Sequence, residues 1–536
     1  MNENLRAFQH WFWFSLAMTI FLGFALFIAT RRRHLWLRYT TAEAAFWLRL
    51  GLPERLVTAS RRFSESEKNK YAFWIVICLW AILTFLSGGS YLYFKHRLPV
   101  ERPREAVAFY DAGAGSNKAG DYFGAISNFS KAIRVYSNYA EAYSFRARAK
   151  YNLADYHGAI TDATKAIQLN PDWSPAYNVR GFSKFYLQDY RGSVEDFDRF
   201  IKLDTSYAYI YNQRGLARAN LTNYPAAIDD FTKAIKLKPD YAMAYYDRGL
   251  VKLGITNYAA AIVDFSNAVQ FHPDFPDAYN RQGLAEWHLG NFSKAIVDYN
   301  KAIELDPDFW PPCNNRGLVE SDLNHYAEAI VDYDKSINLN RTNAIAYFNR
   351  GMAKYHLGNN AGAVADYQKA IELEPDDASV YANLGLVQND LFQFESALKN
   401  YRKALQFDSV LDECRFRIWL ILSRSDDRPG ATEDLKEYLD SQKHKKLTWS
   451  EAVGFFLVGE FSEKSFLACA KSSAEKTQIW WRCRSDYYAG MKHLISGDKI
   501  GAMDFFQQCL DTKETNFSEF ISAKAELKAL KNVIPP

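Results

Sequence analysis

Two long apolar runs without a charged residue stand near the start of the chain. They cover residues 11–29 and 71–94, and Trp, Tyr and Phe cluster at their ends. A helix of about 20 apolar residues crosses the hydrocarbon of a bilayer, and aromatic side chains anchor its ends at the two interfaces. The pattern therefore predicts two transmembrane helices that form a hairpin over residues 1–94.

The stretch between the two runs, residues 30–70, is strongly basic. It holds ten Lys and Arg, compared with Arg6 alone before the first run and four basic residues in the stretch 95–105. Cytoplasmic loops carry such an excess, so we expect this loop in the cytoplasm and both termini on the other side, which in a bacterium is the periplasm. The leader is not basic and the charges follow the first run, which favours a retained anchor over a cleaved signal peptide.

After a charged linker with two prolines at residues 95–105, the pattern repeats with a step of 34 residues. Apolar residues within each step have helical spacing, so each unit predicts helix, turn, helix. Glycine or alanine holds the eighth place of every unit, and alanine or serine holds the twentieth. The nine units, numbered one to nine, are 106–139, 140–173, 174–207, 208–241, 242–275, 276–309, 310–343, 344–377 and 378–411.

The 34-residue period and its small and aromatic places resemble the tetratricopeptide repeat (TPR) family. The resemblance covers residues 106–411 and implies an all-α fold, a right-handed solenoid of helix pairs whose stacking builds the core. It also implies that the first helices line a concave, protein-binding groove, chiefly through places 2, 5, 6, 9, 12 and 13. In three of these places, 5, 6 and 12, we predict the groove residues Asn178, Asn212, Asn280, Trp287, Asn314, Asn315, Asn349, Tyr355 and Asn383.

The predicted groove residues are amides, with two aromatic exceptions. An amide side chain both donates and accepts hydrogen bonds, so a ladder of amides would hold an extended peptide backbone of any sequence. Trp287 and Tyr355 would supply rigid apolar anchors. Asparagine is also a common solvated residue, so a plain surface role is the alternative.

A second internal pattern links the two helices of a unit. Arginine at the seventh place and aspartate at the twenty-third occur together in six units, whereas units one and nine have neither residue. Unit six has aspartate without arginine, since Gln282 stands opposite Asp298. The pattern predicts an ion pair within each unit, and solvated surface charges are the alternative.

The frame weakens in residues 412–536. It continues over 412–445, breaks, and returns over 483–516. Residues 485–530 resemble the C-terminal end of bacterial TPR proteins of the NlpI type, in which a degenerate helical cap closes the array. The type protein is a periplasmic adaptor for proteases and cell-wall hydrolases, so the resemblance implies a helical cap and a periplasmic array. No lipid-attachment cysteine follows the first apolar run, so its particular partners do not carry over.

Motifs for chemistry are missing from the sequence. No HExxH, GxSxG or CxxC occurs, and the ten His have no metal-ligand spacing. The chain beyond residue 105 carries 50 Lys and Arg against 55 Asp and Glu, which gives no basic surface for nucleic acid. We predict no catalytic residue, cofactor or metal site. Cys469 and Cys483 are either unpaired buried thiols or a disulfide in an oxidising compartment.

These patterns together favour a two-pass protein of the bacterial inner membrane that presents a TPR solenoid to the periplasm. Such a scaffold would bind other proteins and bring them together at the envelope. A structural subunit or assembly factor of a larger membrane complex is the first alternative. An enzyme with its site in residues 446–482 is the weaker one.

Overall fold

The fold is described by a computed structural model over residues 102–425, 427–442, 447–471 and 475–533. These residues form helices and turns without a β-strand, as the sequence predicts. Both predicted transmembrane segments, 11–29 and 71–94, lie outside them. Within the described ranges, no helix combines the length and the apolar character that crossing a bilayer requires.

Eighteen helices form nine pairs that follow the nine units. They are α1 Arg104–Lys118, α2 Tyr122–Val135, α3 Ala140–Asn152, α4 Tyr156–Leu169, α5 Ser174–Tyr186, α6 Tyr190–Leu203, α7 Ala208–Asn220, α8 Tyr224–Leu237, α9 Ala242–Gly254, α10 Tyr258–Phe271, α11 Pro276–His288, α12 Phe292–Leu305, α13 Trp310–Asp322, α14 Tyr326–Leu339, α15 Ala344–His356, α16 Asn360–Leu373, α17 Ala378–Asp390 and α18 Phe394–Phe407.

Seven further helices follow the ninth unit and are called here the cap. They are α19 Asp412–Leu422, α20 Arg428–Ser441, α21 Trp449–Leu457, α22 Glu463–Lys471, α23 Glu475–Ile495, α24 Lys499–Asp511 and α25 Ser518–Val533.

Two local signals place the turn inside each unit. The fifteenth residue of all nine units has a left-handed backbone, which costs glycine nothing, as at Gly290 and Gly358. The next residue is Asp or Asn in most units, and in six its side chain caps the second helix. Asp155, for example, accepts a hydrogen bond from the Gly158 N–H at 2.9 Å. The first helix therefore ends, and the second begins, at the same place along the array.

The two helices of a unit meet where the glycine at the eighth place faces an aromatic ring at the twenty-fourth. A Cβ atom added to Gly249 would stand 2.7 Å from the Phe265 ring, closer than carbon atoms approach. Unit two is the exception, since it has Ala147 at the eighth place and the small Ala163 at the twenty-fourth. The size of the side chain at the eighth place therefore limits the size of the side chain at the twenty-fourth place, and the reverse.

The predicted ion pair within each unit is confirmed in all six units that carry both residues. In unit five, Arg248 donates from Nε and Nη2 to the two carboxylate oxygens of Asp264, at 3.0 and 2.7 Å. The carboxylate is buried, while the guanidinium keeps partial contact with solvent. The six pairs are Arg146–Asp162, Arg180–Asp196, Arg214–Asp230, Arg248–Asp264, Arg316–Asp332 and Arg350–Asp366.

The same arginines also reach the preceding unit, which the sequence comparison did not reveal. Arg248 donates from Nη1 to Thr232 Oγ1 at 2.8 Å, and Arg350 donates from Nη1 to Asp334 Oδ1 at 2.6 Å. Both acceptors stand at the twenty-fifth place of the unit before. One guanidinium therefore joins two helices of its own unit and the second helix of its neighbour.

Unit six lacks this arginine, and the pKa of its aspartate, Asp298, is raised. Gln282 Nε2 donates to Asp298 Oδ1 at 3.1 Å, which replaces an ion pair by a neutral hydrogen bond. Burial raises the pKa of Asp298 to about 7, the Gln282 hydrogen bond opposes the shift, and the charge of Glu286 adds to it. The carboxyl group of Asp298 therefore titrates near neutral pH.

Replacing Gln282 by arginine is expected to stabilise the protein by about 1–2 kcal/mol at pH 8, because a charged hydrogen bond then compensates the buried carboxylate. In the parent, the folded pKa of Asp298 lies above the unfolded value of about 4. The stability that the protonated carboxyl of Asp298 contributes to the fold is thus complete below pH 4 and is lost as the pH rises to about 7. The gain in Gln282→Arg should accordingly be small at pH 5.

Urea unfolding of parent and variant at pH 5 and pH 8 tests this prediction. Burial also raises the pKa of Asp247, to about 6, but this residue contributes equally to both proteins. The difference between variant and parent therefore isolates unit six. A gain in unfolding free energy that is the same at both pH values would contradict the assignment.

The cap continues the repeat pattern and then departs from it. The pair α23 and α24 reproduces the packing of a unit, since a Cβ on Gly490 would stand 2.7 Å from the Phe506 ring. Between α20 and α23, the short helices α21 and α22 bury Val453, Phe456 and Phe466 in the core of the cap. Residues 447–471 of the stretch 446–482 thus contribute apolar side chains to a core.

Candidate protein-binding groove

The first helices of the units approach each other more closely than the second helices do. Most neighbouring first helices, from α1 to α17, contact each other directly, whereas neighbouring second helices make no comparable contact. A stack whose helices meet on one side curves toward that side. The first helices therefore line the inner face of the array, where the predicted groove residues lie.

Amide hydrogen bonds cross this inner face from the fifth place of one unit to the sixth place of the next. Asn315 Nδ2 donates to Asn280 Oδ1 at 3.0 Å, and Asn349 Nδ2 donates to Asn314 Oδ1 at 3.2 Å. All four side chains are buried or half-buried. The structure thus brings four predicted residues together in pairs, and each pair joins two successive units.

The other three predicted amides have separate surroundings. Asn212 is buried and donates to Asp247 Oδ2 at 2.7 Å, again from the fifth place to the sixth of the next unit. Asn383 donates to the Ser379 carbonyl of its own helix at 2.9 Å. Asn178 is half-buried, and its side-chain oxygen has no hydrogen-bond partner.

The two predicted aromatic anchors make a second set of bonds, from the twelfth place to the thirteenth of the next unit. Trp287 Nε1 donates to Asp322 Oδ2 at 2.6 Å, and the Tyr355 hydroxyl donates to Asp390 Oδ2 at 2.5 Å. Trp287 is half-buried, whereas Tyr355 is only 3% exposed. In this conformation the groove offers part of Trp287 to a partner, and Tyr355 belongs to the core.

Between the two sets of bonds runs a row of apolar side chains at the ninth place, here called the apolar stripe. The sequence-based prediction did not name these residues, although the same place is apolar in seven successive units. Six of them are half-buried and Met352 is exposed. The stripe consists of Phe182, Leu216, Leu250, Leu284, Leu318, Met352 and Leu386.

The chain's own C-terminal segment lies next to the last two residues of the stripe, of which Met352 stays exposed and Leu386 is half-buried. Phe517 faces Met352 and Leu386 across a shared cavity. Ile521, one helical turn further on, packs against the core cluster that contains Tyr355. The inner face of units eight and nine is therefore occupied by α25 and the turn before it.

A buried charged residue fixes this segment. Arg417, on α19, is 1% exposed and donates to Tyr487 at 2.7 Å, to Ser522 at 3.0 Å and to Glu413 at 2.8 Å. Ser522 in turn donates to Asp390 Oδ1 at 2.8 Å. The network joins unit nine to α19, α23 and α25.

Two further contacts hold α25 in the same position. Arg484 donates from Nε to Glu519 Oε1 at 2.5 Å, at the start of α25. Arg424 pairs with Glu526, two turns further on. Two charged residues of α25 thus contact arginines of α23 and of the turn after α19, and its apolar residue Ile521 contacts the groove.

Among the described residues, no group of His, Cys, Asp and Glu has the arrangement that a metal ion needs. The features described on the inner face are the hydrogen-bonded pairs and the apolar stripe. Such a surface can bind and orient a polypeptide.

Structures of other helical repeat proteins resemble parts of the chain. MamA is 28% identical over 30% of this chain and 94% of that chain, with a TM-score of 0.29. YrrB, described as a TPR protein with an unusual peptide-binding site, is 20% identical over 34% and 95%, with a TM-score of 0.31. Yeast Tom70 is 18% identical over 81% and 97%, with a TM-score of 0.34. These TM-scores are low, so the similarities do not indicate a function.

Family models give the clearest relationship, whereas a search of curated proteins found no match. Models described as "Tetratricopeptide repeat" match residues 140–172, 180–242, 276–309 and 378–410. A model described as "TPR repeat" matches 317–358 and 351–391. These ranges fall on seven of the nine units predicted from the 34-residue period, namely units two to four and six to nine, and omit the first residues of units three and seven. The matched parts of the chain are therefore tetratricopeptide repeats.

Proposed function

We propose that this chain is a membrane-anchored scaffold that binds other proteins in the groove of its TPR array, brings them together at a bacterial envelope, and catalyses no reaction itself. TPR arrays are protein-binding modules, which supports the general part of this proposal. The anchor, the envelope and the groove residues are the specific parts, and each has its own support and test.

One observation carries the choice of surface. The apolar stripe continues beyond the part that α25 covers, through Phe182, Leu216, Leu250, Leu284 and Leu318. Where this segment meets the stripe, Phe517, the residue before α25, and Ile521, in its first turn, stand four residues apart, as on the apolar face of a helix. The contacts of Phe517 and Ile521 with the end of the stripe thus indicate the kind of segment that the open part would bind, namely a helix with apolar residues four positions apart.

The hydrogen-bonded pairs would orient the bound segment. Asn315 is half-buried, and an amide carries two donors and an acceptor with two lone pairs, so Asn315 keeps capacity that its bond to Asn280 does not use. Asn212, Asn280, Asn314 and Asn349 are buried and hold the side chains around them in place before binding, which reduces the ordering cost of association. In this proposal Asn178, Asn383 and the open part of Trp287 belong to the same surface as Asn315.

The contribution of the stripe to binding is tested by a photo-crosslinking amino acid at Leu250 or Leu284. Val297 is the control, because it is a 64% exposed apolar residue on a second helix, outside the groove. We expect adducts with a partner at both stripe positions and none at Val297. We also expect Leu284→Asp to reduce co-purification of that partner at least tenfold, as a buried charge without a counterion would.

The folded state of each variant is checked by circular dichroism, so that loss of binding is not confused with loss of fold. Adducts that form equally at Val297 and at Leu284 would contradict the groove. An unchanged yield of partner with Leu284→Asp would contradict it as well.

The membrane anchor and the periplasmic location are proposed from the two apolar runs and the basic loop between them. An alkaline phosphatase reporter, which is active only outside the cytoplasm, is fused after Pro536. We expect an active fusion. An inactive but expressed fusion would overturn the orientation and favour a cytoplasmic scaffold or an assembly factor of a membrane complex.

A further inference from the structure

Two cysteines of the cap lie side by side in its core. Cys483 Sγ, on α23, is 2.9 Å from Cys509 Sγ, on α24, and both residues are fully buried. Two thiol sulfur atoms that are not bonded to each other stay farther apart than this. The sequence alone had offered Cys469 as the partner of Cys483, whereas the fold places Cys509 there.

The register of the repeats explains why these two positions meet. Within the degenerate unit 483–516, Cys483 holds the first place and Cys509 the twenty-seventh. In six of the nine regular units, both places are alanine. Examples are the pairs Ala140 with Ala166 and Ala242 with Ala268. Only the cap has cysteine at both places, so a pair of small core residues is replaced by a pair that can be joined covalently.

From this geometry we infer that Cys483 and Cys509 form a disulfide that joins α23 to α24 and so fixes the start of α25. Cys509 Sγ lies 3.9 Å from the carbonyl oxygen of Glu519, the second residue of α25. The disulfide therefore lies directly beside the start of α25, the helix whose Ile521 reaches the end of the apolar stripe. The inference does not depend on which partner the open groove binds.

The bond forms by thiol–disulfide exchange with an oxidising protein disulfide. One cysteine thiolate attacks that disulfide, which gives a mixed disulfide and releases one thiol of the oxidant. The second cysteine thiolate then attacks the mixed disulfide, closes the Cys483–Cys509 bond and releases the other thiol. The chain thus loses two protons and two electrons, and the oxidant gains them as a dithiol.

Burial of the pair determines when this exchange takes place. The contact with Cys483 and the burial of the site raise the pKa of the Cys509 thiol, so the folded cap holds little reactive thiolate. An oxidant also has no access to sulfur atoms that are fully buried. The bond therefore forms while the cap folds, as in structural disulfides of oxidising compartments.

The full chain is unfolded, reduced, and refolded in a mixture of glutathione and glutathione disulfide, then treated with an alkylating reagent. We expect peptide mass mapping without reduction to find Cys483 joined to Cys509, and Cys469 alkylated. We also expect dithiothreitol to lower the midpoint of cap unfolding by about 5–10 °C. Either free, alkylated Cys483 and Cys509 or a Cys469–Cys483 bond would overturn the inference.

Alanine variants of the two cysteines should fold, because alanine fills these two places in most regular units. Cys509→Ala should unfold at the midpoint of the reduced parent, and dithiothreitol should not lower it further. Cys469→Ser, a matched control at a half-buried position, should keep the full response to dithiothreitol. A Cys509→Ala protein that responds to dithiothreitol as the parent does would overturn the inference.

Discussion

Replacing Arg417 by alanine is expected to destabilise the cap by about 3–5 kcal/mol, because it removes a fully buried positive charge that acts on the buried carboxyl of Asp390 and leaves the Tyr487 hydroxyl without its donor. Arg417 is 1% exposed and holds Glu413, Tyr487 and Ser522 by hydrogen bonds of 2.7 to 3.0 Å. Without it, Glu413 loses its nearest counterion. The variant should therefore release α25 from the inner face of units eight and nine.

Limited proteolysis and urea unfolding measure this effect. We expect cleavage within the cap under conditions that leave the parent intact, and a lower urea midpoint for the cap than for units one to seven. Arg402→Ala is the matched control, since Arg402 is an exposed arginine on α18, and its loss should change stability by about 0.5 kcal/mol or less. Equal stability of the Arg417 and Arg402 variants would show that the network does not hold the cap.

The second large effect is expected in a double-mutant cycle on Gly249 and Phe265. Gly249→Ala alone should cost about 1–3 kcal/mol, because its new Cβ would stand 2.7 Å from the Phe265 ring. Phe265→Ala alone should cost about 3–5 kcal/mol, since it leaves a cavity in a fully buried site. In the double variant the alanine at 249 no longer meets a ring, as Ala147 and Ala163 illustrate in unit two. The double variant should therefore cost less than the sum of the two single changes.

Urea unfolding of the four proteins gives the coupling energy, which we expect to be about 0.5–3 kcal/mol in favour of the double variant. The control cycle combines Gly249→Ala with Phe129→Ala, in unit one. Those residues share no partner, so the two costs should add to within about 0.5 kcal/mol. Additive costs in the Gly249 and Phe265 cycle would show that the two places do not limit each other's volume.

The period of the sequence predicted most of the array, because each unit repeats the same short-range signals. The turn and the Arg–Asp pairs both join residues within one unit, so nine aligned copies reveal them. The bond from Arg248 to Thr232 was missed because the twenty-fifth place of the unit before each such arginine varies among serine, threonine, asparagine and aspartate. All of these residues can accept the bond, but no single residue type repeats.

The candidate groove was predicted in part. The sequence identified the inner face and its amides, but the buried state of Tyr355 depends on α25, which lies more than 160 residues further along the chain. No periodic signal reports a contact of that kind. The pairing of Asn280 with Asn315 was likewise unforeseen, because both residues were considered as separate groups facing a peptide.

The position of α25 makes the two ends of the groove different, because α25 occupies only the end at units eight and nine. A chain that binds along the groove can extend past unit three, but it ends where Phe517 and Ile521 already cover the stripe. In the proposed function, that end would serve as a fixed reference point for the alignment of a bound segment. Duplication or loss of an internal unit would lengthen or shorten the open groove by one step and leave the reference point unchanged. A chain changed in this way would therefore accept a longer or shorter segment while it keeps the same cap.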